Sequence, residues 1–393
     1  MPSLPQRTLP CLPRHAGGMV ILLAWVTSAA CGLDPLPDTR LAALPVVSPP
    51  SNPSAQGRAI AELGRLLFFD PLLSATRDTA CATCHHPRYG WADGRSTPLG
   101  AHSRGLGPER RMSPSHTFPP LPRNTPTILN VAFNGIQTGQ TYQPAAAPMF
   151  WDNRVLSLEA QAMIPIRSRE EMRGDACTEP QAVTQMVGRI AAVQAYRNLF
   201  AQAFKSDVSA ERVTLSLAAF QRTLIAPTTP FDRFMRGDTT AMTPLQQRGM
   251  QAFQRAGCAL CHNGPMLSDY KLHGLGVIDA STTRQDFRTP TLRQLPHTAP
   301  YMHNGSFKTL EDVLQFYDLM MDAVSETLDG ADQNHPPLDP LLRHLNLQPE
   351  DHEPILAFLQ ALSTDDYDRS VPAEVPSGLP PASHGTVPSS VVK

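Results

Sequence analysis

Six stretches of the chain carry apolar residues at helical spacing. They are AIAELGRLLFF (59–69), AVTQMVGRIAAVQAYRNLFAQAF (182–204), ERVTLSLAAFQRTLI (211–225), TPLQQRGMQAFQRAGC (243–258), LEDVLQFYDLMM (310–321) and PEDHEPILAFLQAL (349–362). Apolar positions recurring at i, i+3, i+4 and i+7 put one face of each into a core, so each predicts an amphipathic helix. The fourth also carries its own start signal, with Thr243 as cap and Pro244 at the first helical position. Alternating runs are few and short. Between 90 and 150, Gly, Pro, Ser and Arg interrupt both periods, and a loop of that length is usually functional. The pattern predicts a mainly α chain with long loops and few short strands.

The ends break the pattern. Arg7 and Arg14 precede MVILLAWVTSAA (19–30), and Cys31 follows. This apolar run is too short for the ~20 residues that cross a bilayer, so residues 1–30 read as an export signal. Small residues before Cys31 suit two cleavages. One leaves an ordinary soluble chain, and the other makes Cys31 a lipidated first residue and the only membrane attachment, although Ser28 stands where a lipobox usually has leucine. Either places the chain in the periplasm. Residues 31–54 read as a Pro/Ser-rich tether and 369–393 as a disordered tail. There are 40 prolines in 393 residues, about twice the usual ~5%. The 33 basic and 35 acidic residues nearly cancel and form no basic stripe, which sets nucleic acid aside as a partner.

The candidate chemistry lies in CATCH (81–85) and CALCH (258–262). Two thiols three residues apart lie on one side of a helical turn and can add to the two vinyl groups of one porphyrin, with the next histidine under the iron. A redox dithiol or half of a zinc site is the alternative for either copy alone. Two copies in one exported chain point to two c-type haems, with thioethers from Cys81, Cys84, Cys258 and Cys261 and iron ligands His85 and His262. Cys11 falls in the signal, and Cys177, in GDACTEP, reads as a loop thiol without chemistry. A helix precedes and loops follow each motif. The chain therefore divides into two cytochrome-c-like haem domains, 55–230 and 231–368, linked near LIAPTTPFDRFMRGD (224–238).

Between and around the motifs stand LGRLLFFDPLLS (63–74), RNTPTILNVAFN (123–134), MFWDNRVLSLEAQAMIPIRSREEM (149–172), PFDRFMRGD and TPTLRQLPHTAPYMHNGSFKTLEDVLQFY (289–317). In this order they resemble the bacterial di-haem cytochrome c peroxidases, including their MauG-type branch, over about 55–365. The resemblance implies a peroxidase in which the haem on His85 meets hydrogen peroxide. The haem on His262 would pass electrons from a small cytochrome or copper protein. It implies Glu171, Gln161 and Pro165 in the peroxide pocket and Trp151 between the haems. It further implies a calcium held by Asn124 and by the carbonyls of Thr298 and Pro300, which rests on the resemblance alone.

The residues support part of this independently. Splitting a peroxide requires a proton to move between its oxygens, and a buried carboxyl with a raised pKa can carry it. Glu171 fits that role, with Glu170 and Glu159 close by as rivals. One departure concerns the histidine that caps the first iron at rest in typical family members. Its matching position is Ala101, with His102 beside it, so either His102 has shifted in or the first iron is open; the open iron is the expectation. A second departure concerns the far ligand of the second iron. The register from His303 in PYMHNG falls on Tyr317, where the cytochrome c peroxidases have methionine and the MauG branch has tyrosine. Met320, Met321 and Met302 are its rivals. Two other functions share these features: oxidation of residues on a partner protein, as in the MauG branch, and plain electron carriage. The pocket residues argue against the latter, since a carrier needs no acid–base group over an open iron.

Overall fold

The computed structural model describes residues 37–46, 54–116, 118–226, 228–327 and 338–382. The expected signal, Cys11, Cys31, most of the tether and the last residues of the tail lie outside them. The first helix, α1 (Ala55–Phe69), starts where the Ser54 hydroxyl accepts the Gly57 N–H at 3.0 Å, and it buries Leu63, Leu67, Phe68 and Phe69. The first cysteine pair forms the single turn α2 (Cys81–Cys84). From there to residue 157 the chain holds only short turns and two small ribbons. In these, Ser103–Arg104 pairs with Arg111–Met112 and Pro148–Met149 pairs with Val155–Leu156.

Helix α3 (Leu158–Arg167) follows, continued by one π-turn over Arg169–Arg173. Its pattern is short and interrupted by Pro165, and periodicity alone misses it. The long periodic stretch 182–204 forms two helices, α4 (Glu179–Ala192) and α5 (Gln194–Phe204). Val193 takes an extended backbone between them, which lets α5 bury Tyr196 and Phe200. Then come α6 (Ala210–Gln221), α7 (Pro230–Met235), α8 (Pro244–Arg255), a third ribbon of Leu272–Gly274 and Asp286–Arg288, α9 (Leu310–Thr327) and α10 (His352–Ala361). Thr243 and Gln246 cap α8 reciprocally. No helix among the described residues is long and apolar enough to cross a membrane.

Apolar side chains collect into two main cores. One is built on α1 and α3–α6, and the other on α7, α8, α9 and α10. Each core contains the same crossing. A Cβ on Gly64 of α1 would lie 1.8 Å from the Ser216 carbonyl oxygen of α6 and 3.0 Å from the Phe220 Cβ. A Cβ on Gly249 of α8 would lie 1.8 Å from the Pro354 oxygen of α10 and 2.9 Å from the Phe358 Cβ. The duplication seen in the C-x-x-C-H motifs thus extends to the helix pair behind each one. Gly64→Ala and Gly249→Ala each force two packed helices apart. Each should lose ~1–3 kcal/mol or more of stability, as overpacking does, read as a lower denaturant midpoint. A midpoint unchanged in both would show that the crossings yield freely.

Two segments depart from the Pro/Ser-rich tether and the disordered tail that composition predicts. Within the tether, Leu41 and Leu44 are buried, Gly264 donates its N–H to the Arg40 carbonyl at 2.8 Å, and the Leu44 N–H reaches Asp232 at 2.8 Å. Within the tail, Val375 is buried in the first core and the Ser377 hydroxyl donates to Asp70 at 2.8 Å. Composition signals solvation here, but scattered leucines and valines find tertiary partners that local pattern cannot reveal.

Candidate functional site

Both C-x-x-C-H motifs open onto one cavity of about 670 Å³, within the ~300–1,000 Å³ of ordinary ligand clefts. Cys81, Cys84, His85, Cys258, Cys261 and His262 all line it. Burial pushes the thiols of Cys81, Cys84 and Cys258 up to about 12, the opposite of the depressed thiol in a redox pair. His85 Nδ1 lies 3.2 Å from the Trp91 carbonyl, and His262 Nδ1 lies 3.0 Å from the Leu267 carbonyl. Each contact makes Nδ1 the N–H and leaves Nε2 as the nitrogen with a lone pair, as in a metal-ligating imidazole whose far nitrogen is held by a carbonyl. Burial pushes His85 down to about 4 and lowers His262 too, so both rings are neutral at pH 7.

The two half-sites repeat in detail. Trp91 and Leu267 both adopt left-handed backbone, with φ of 61° and 49°. The Thr127 hydroxyl donates to the Gly90 carbonyl at 2.6 Å, and the Thr291 hydroxyl donates to the Met266 carbonyl at 2.7 Å. The two Thr-Pro-Thr stretches (125–127 and 289–291) therefore brace the two carbonyl-bearing turns alike. Arg288 also lines the cavity, and its buried Nε has no partner. A buried donor of this kind suits the carboxylates of a porphyrin, so the residues present fit two haems.

In the N-terminal half of the cavity, Glu171 stands on the π-turn, its N–H capped by the Ser168 hydroxyl at 3.3 Å. Burial pushes its carboxyl up to about 7, against the opposing charge of Arg154. Gly100 packs against this turn so closely that a Cβ there would lie 2.1 Å from the Glu170 oxygen and 2.6 Å from the Glu171 Cα. Gln161 and Pro165, on α3, line the same space. The rival carboxylates do not. Glu170 is outside the lining, and Glu159 is bound by Arg222 at 2.6 and 3.0 Å. Burial works to raise the Glu159 pKa, but these hydrogen bonds hold it below the usual range. His102 is outside as well. Its ring stacks on His116 at 3.7 Å, and its backbone N–H donates to Asp78 at 3.0 Å.

Trp151 lines the cavity and donates its Nε1–H to the Asn124 carbonyl at 2.8 Å. Asn124, Thr298 and Pro300 line it too. In the C-terminal half, Tyr317 on α9 lines the cavity, whereas Met320 and Met321 do not. The Met321 sulfur instead accepts the Leu347 N–H at 3.3 Å. Met302 is also in the lining. Sequence reading missed Arg154, stacked 3.7 Å over Phe150, and His273, held between Asp269 (2.9 Å) and Asp339 (2.6 Å). Burial opposes a charge on His273, but these two carboxylates push it up to about 12. Arg154 sits inside a quoted motif and was legible there. The Asp339 partner of His273 is 66 positions away and leaves no local signal. Among the described residues, Cys261, Asp269 and His273 form the one cluster within metal-binding reach, their ligand atoms all within 4.8 Å of one another.

Residues 58–240 match the family described as "Di-haem cytochrome c peroxidase". The methylamine utilization protein MauG of Methylophilus methylotrophus is 35% identical over 288 residues, covering 69% of this chain and 75% of that one. The cytochrome c551 peroxidase of Pseudomonas aeruginosa is 33% identical over 322 residues, covering 77% and 78%. The chain belongs to the di-haem cytochrome c peroxidase family. Membership makes it a peroxidase-type oxidoreductase and implies two c-type haems. The crystal structure of a MauG-like protein associated with microbial copper homeostasis shares the fold, with a TM-score of 0.60 at 23% identity, covering 83% of this chain and 93% of that one.

Proposed function

We propose that this di-haem peroxidase reduces hydrogen peroxide to water in the N-terminal half of the cavity, with electrons entering through the C-terminal half. The observation that carries the reading is Glu171: a cavity carboxyl raised to about 7, with no histidine facing it from the 101–102 loop. Cys81 and Cys84 would hold one haem with His85 as ligand, and Cys258 and Cys261 the other with His262. When bound, haem iron would supply the site where peroxide binds and the electrons that reduce it. The Glu171 carboxylate takes the proton from one peroxide oxygen and returns it to the other, which leaves as water; two electrons and two protons complete two waters. Gln161 and Pro165 shape the pocket around that transfer, and Trp151 lies between the halves as the electron relay.

A calcium ion belongs to the same reading. Asn124 Nδ2 donates to the carbonyls of Arg95 (2.8 Å) and Ser96 (3.4 Å), which leaves Oδ1 as its acceptor. With the Thr298 and Pro300 carbonyls it offers the hard oxygen set that calcium prefers. The N-terminal signal supports export to the periplasm, where a small cytochrome or copper protein would donate electrons. Tyr317, in the cavity in place of methionine, favours a second reading in which the same site oxidises residues of a partner protein. The test is steady-state turnover of peroxide with a reduced small cytochrome, on protein shown to carry two covalent haems. Turnover supports peroxide reduction. Two haems without turnover would leave the partner-oxidising reading, and a single haem would overturn the site assignment.

A further inference from the structure

The ends of the described body are exchanged between its halves. Residues 37–46 reach the C-terminal half, with Leu41 in its core and Leu44 in a small cluster that Phe133, Ile136, Met266 and Tyr270 share, and residues 368–382 pack on the N-terminal half. Each end fastens the turn that holds the proximal histidine of the half it visits. At the first site, the carbonyl of Asp368 accepts the Trp91 Nε1–H at 2.8 Å, and the Trp91 carbonyl faces His85 Nδ1. Trp91 is fully buried among Phe68, Phe69 and Phe220, with ring centroids 5.8–6.1 Å away. The strap is pinned further on by Val375 in the core, by Ser377 on Asp70, and by the Ala382 N–H on the Phe69 carbonyl at 3.2 Å.

At the second site, Leu41 pairs with Gly264, whose N–H donates to the Arg40 carbonyl at 2.8 Å. The Leu267 N–H donates to the Gly264 carbonyl at 3.3 Å, and the Leu267 carbonyl faces His262 Nδ1. Leu44 anchors this strap through its N–H to Asp232 and through its carbonyl, which accepts from Arg236 at 2.8 Å.

We propose that the two terminal segments are exchanged positioning straps, each setting the proximal histidine of the opposite half and so tuning one haem independently of the other. The proposal rests on His85 and His262 being the iron ligands. A carbonyl held firmly against Nδ1 strengthens the ligand's basicity, and a loosened one weakens it. Losing a strap therefore raises the midpoint potential of its own haem and, at the open N-terminal haem, also lowers the frequency of the iron–histidine vibration. The strap acts through Trp91 or Gly264 and touches no substrate.

The test uses the full-length holoprotein in three variants. Trp91→Phe keeps an aromatic ring and removes the N–H. Val375→Asp drives the C-terminal strap off its core from a distance. Leu41→Asp puts a carboxylate into the C-terminal core and releases the N-terminal strap beside Gly264. Haem content on each, and the iron–histidine band of wild type, check the ligand assignment separately. The expected result is a shift in potential and vibration at the N-terminal haem alone in the first two variants, and a shift in potential at the C-terminal haem alone in the third. Wild-type values at both haems in Val375→Asp, or equal shifts at both, would overturn the proposal. Trp91→Phe distinguishes the specific hydrogen bond from general loosening if Val375→Asp folds poorly: a shift at one haem in this conservative variant sustains the proposal, and none sinks it.

Discussion

Glu171→Gln should keep both covalent haems and lose peroxide turnover by ~10²–10⁴-fold, the usual contribution of a general acid–base group. The amide preserves shape and packing on the π-turn but cannot take and return a proton. The loss should fall on kcat, since the carboxyl acts while the oxygens separate rather than in holding peroxide. Turnover near the wild-type value would dismiss the role, and Glu159 offers no replacement because Arg222 holds it at 2.6 Å outside the cavity.

The same residue predicts a pH dependence. Burial raises the folded-state pKa of Glu171 to about 7, above the ordinary 4.5. The proton acceptor is the ionised form, so kcat/KM should rise with pH through about 7, and this limb should vanish in Glu171→Gln. Stability moves the other way. A raised carboxyl pKa means that the folded state binds the proton more tightly than the unfolded one. Its contribution is full below about 4.5 and is lost as pH rises through about 7. A pH titration of unfolding should therefore flatten over this window in the glutamine variant.

The sequence made the site more legible than the fold around it. The C-x-x-C-H motifs, the six periodic stretches and the cap at Thr243 are local patterns, and local patterns survive in sequence. Glu171 could be ranked over Glu159 only by motif, because the Arg222 partner lies 63 positions away. The same limit hid the straps. Nothing near Asp368 says that its carbonyl meets an indole 277 positions back, and proline-rich composition argues for solvent. Gly64 and Gly249 look like ordinary helix glycines until the second helix of each crossing is in place. Long-range pairing is the information that periodicity and propensity do not carry.

Tyr317→Met should raise the midpoint potential of the C-terminal haem, within the ~0.8 V over which axial ligands set haem potentials. Tyr317 lines the cavity with His262, and three observations favour it as the second ligand of that iron. Met320 lies outside the lining, Met321 spends its sulfur on the Leu347 N–H, and the register from His303 falls on residue 317. Burial pushes the phenol up, with the nearby Cys261 and Cys258 sulfurs adding to it. An anionic ligand is then formed only with the iron's charge beside it, as a metal inverts the local preference. A phenolate favours ferric iron and a neutral thioether favours ferrous iron. The native residue thus suits a site that holds oxidising equivalents, and methionine would suit one that readily accepts electrons from a cytochrome. Tyr317→Phe removes the donor oxygen and keeps the ring against Phe316, whose centroid is 5.6 Å away, so its ferric low-spin signal should change while packing holds. The long-wavelength absorption of a methionine-ligated ferric haem should be absent from wild type and present in Tyr317→Met. Finding that band in wild type would transfer the role to Met302, the one rival sulfur of the three in the cavity, and would favour peroxide reduction over oxidation of a partner protein.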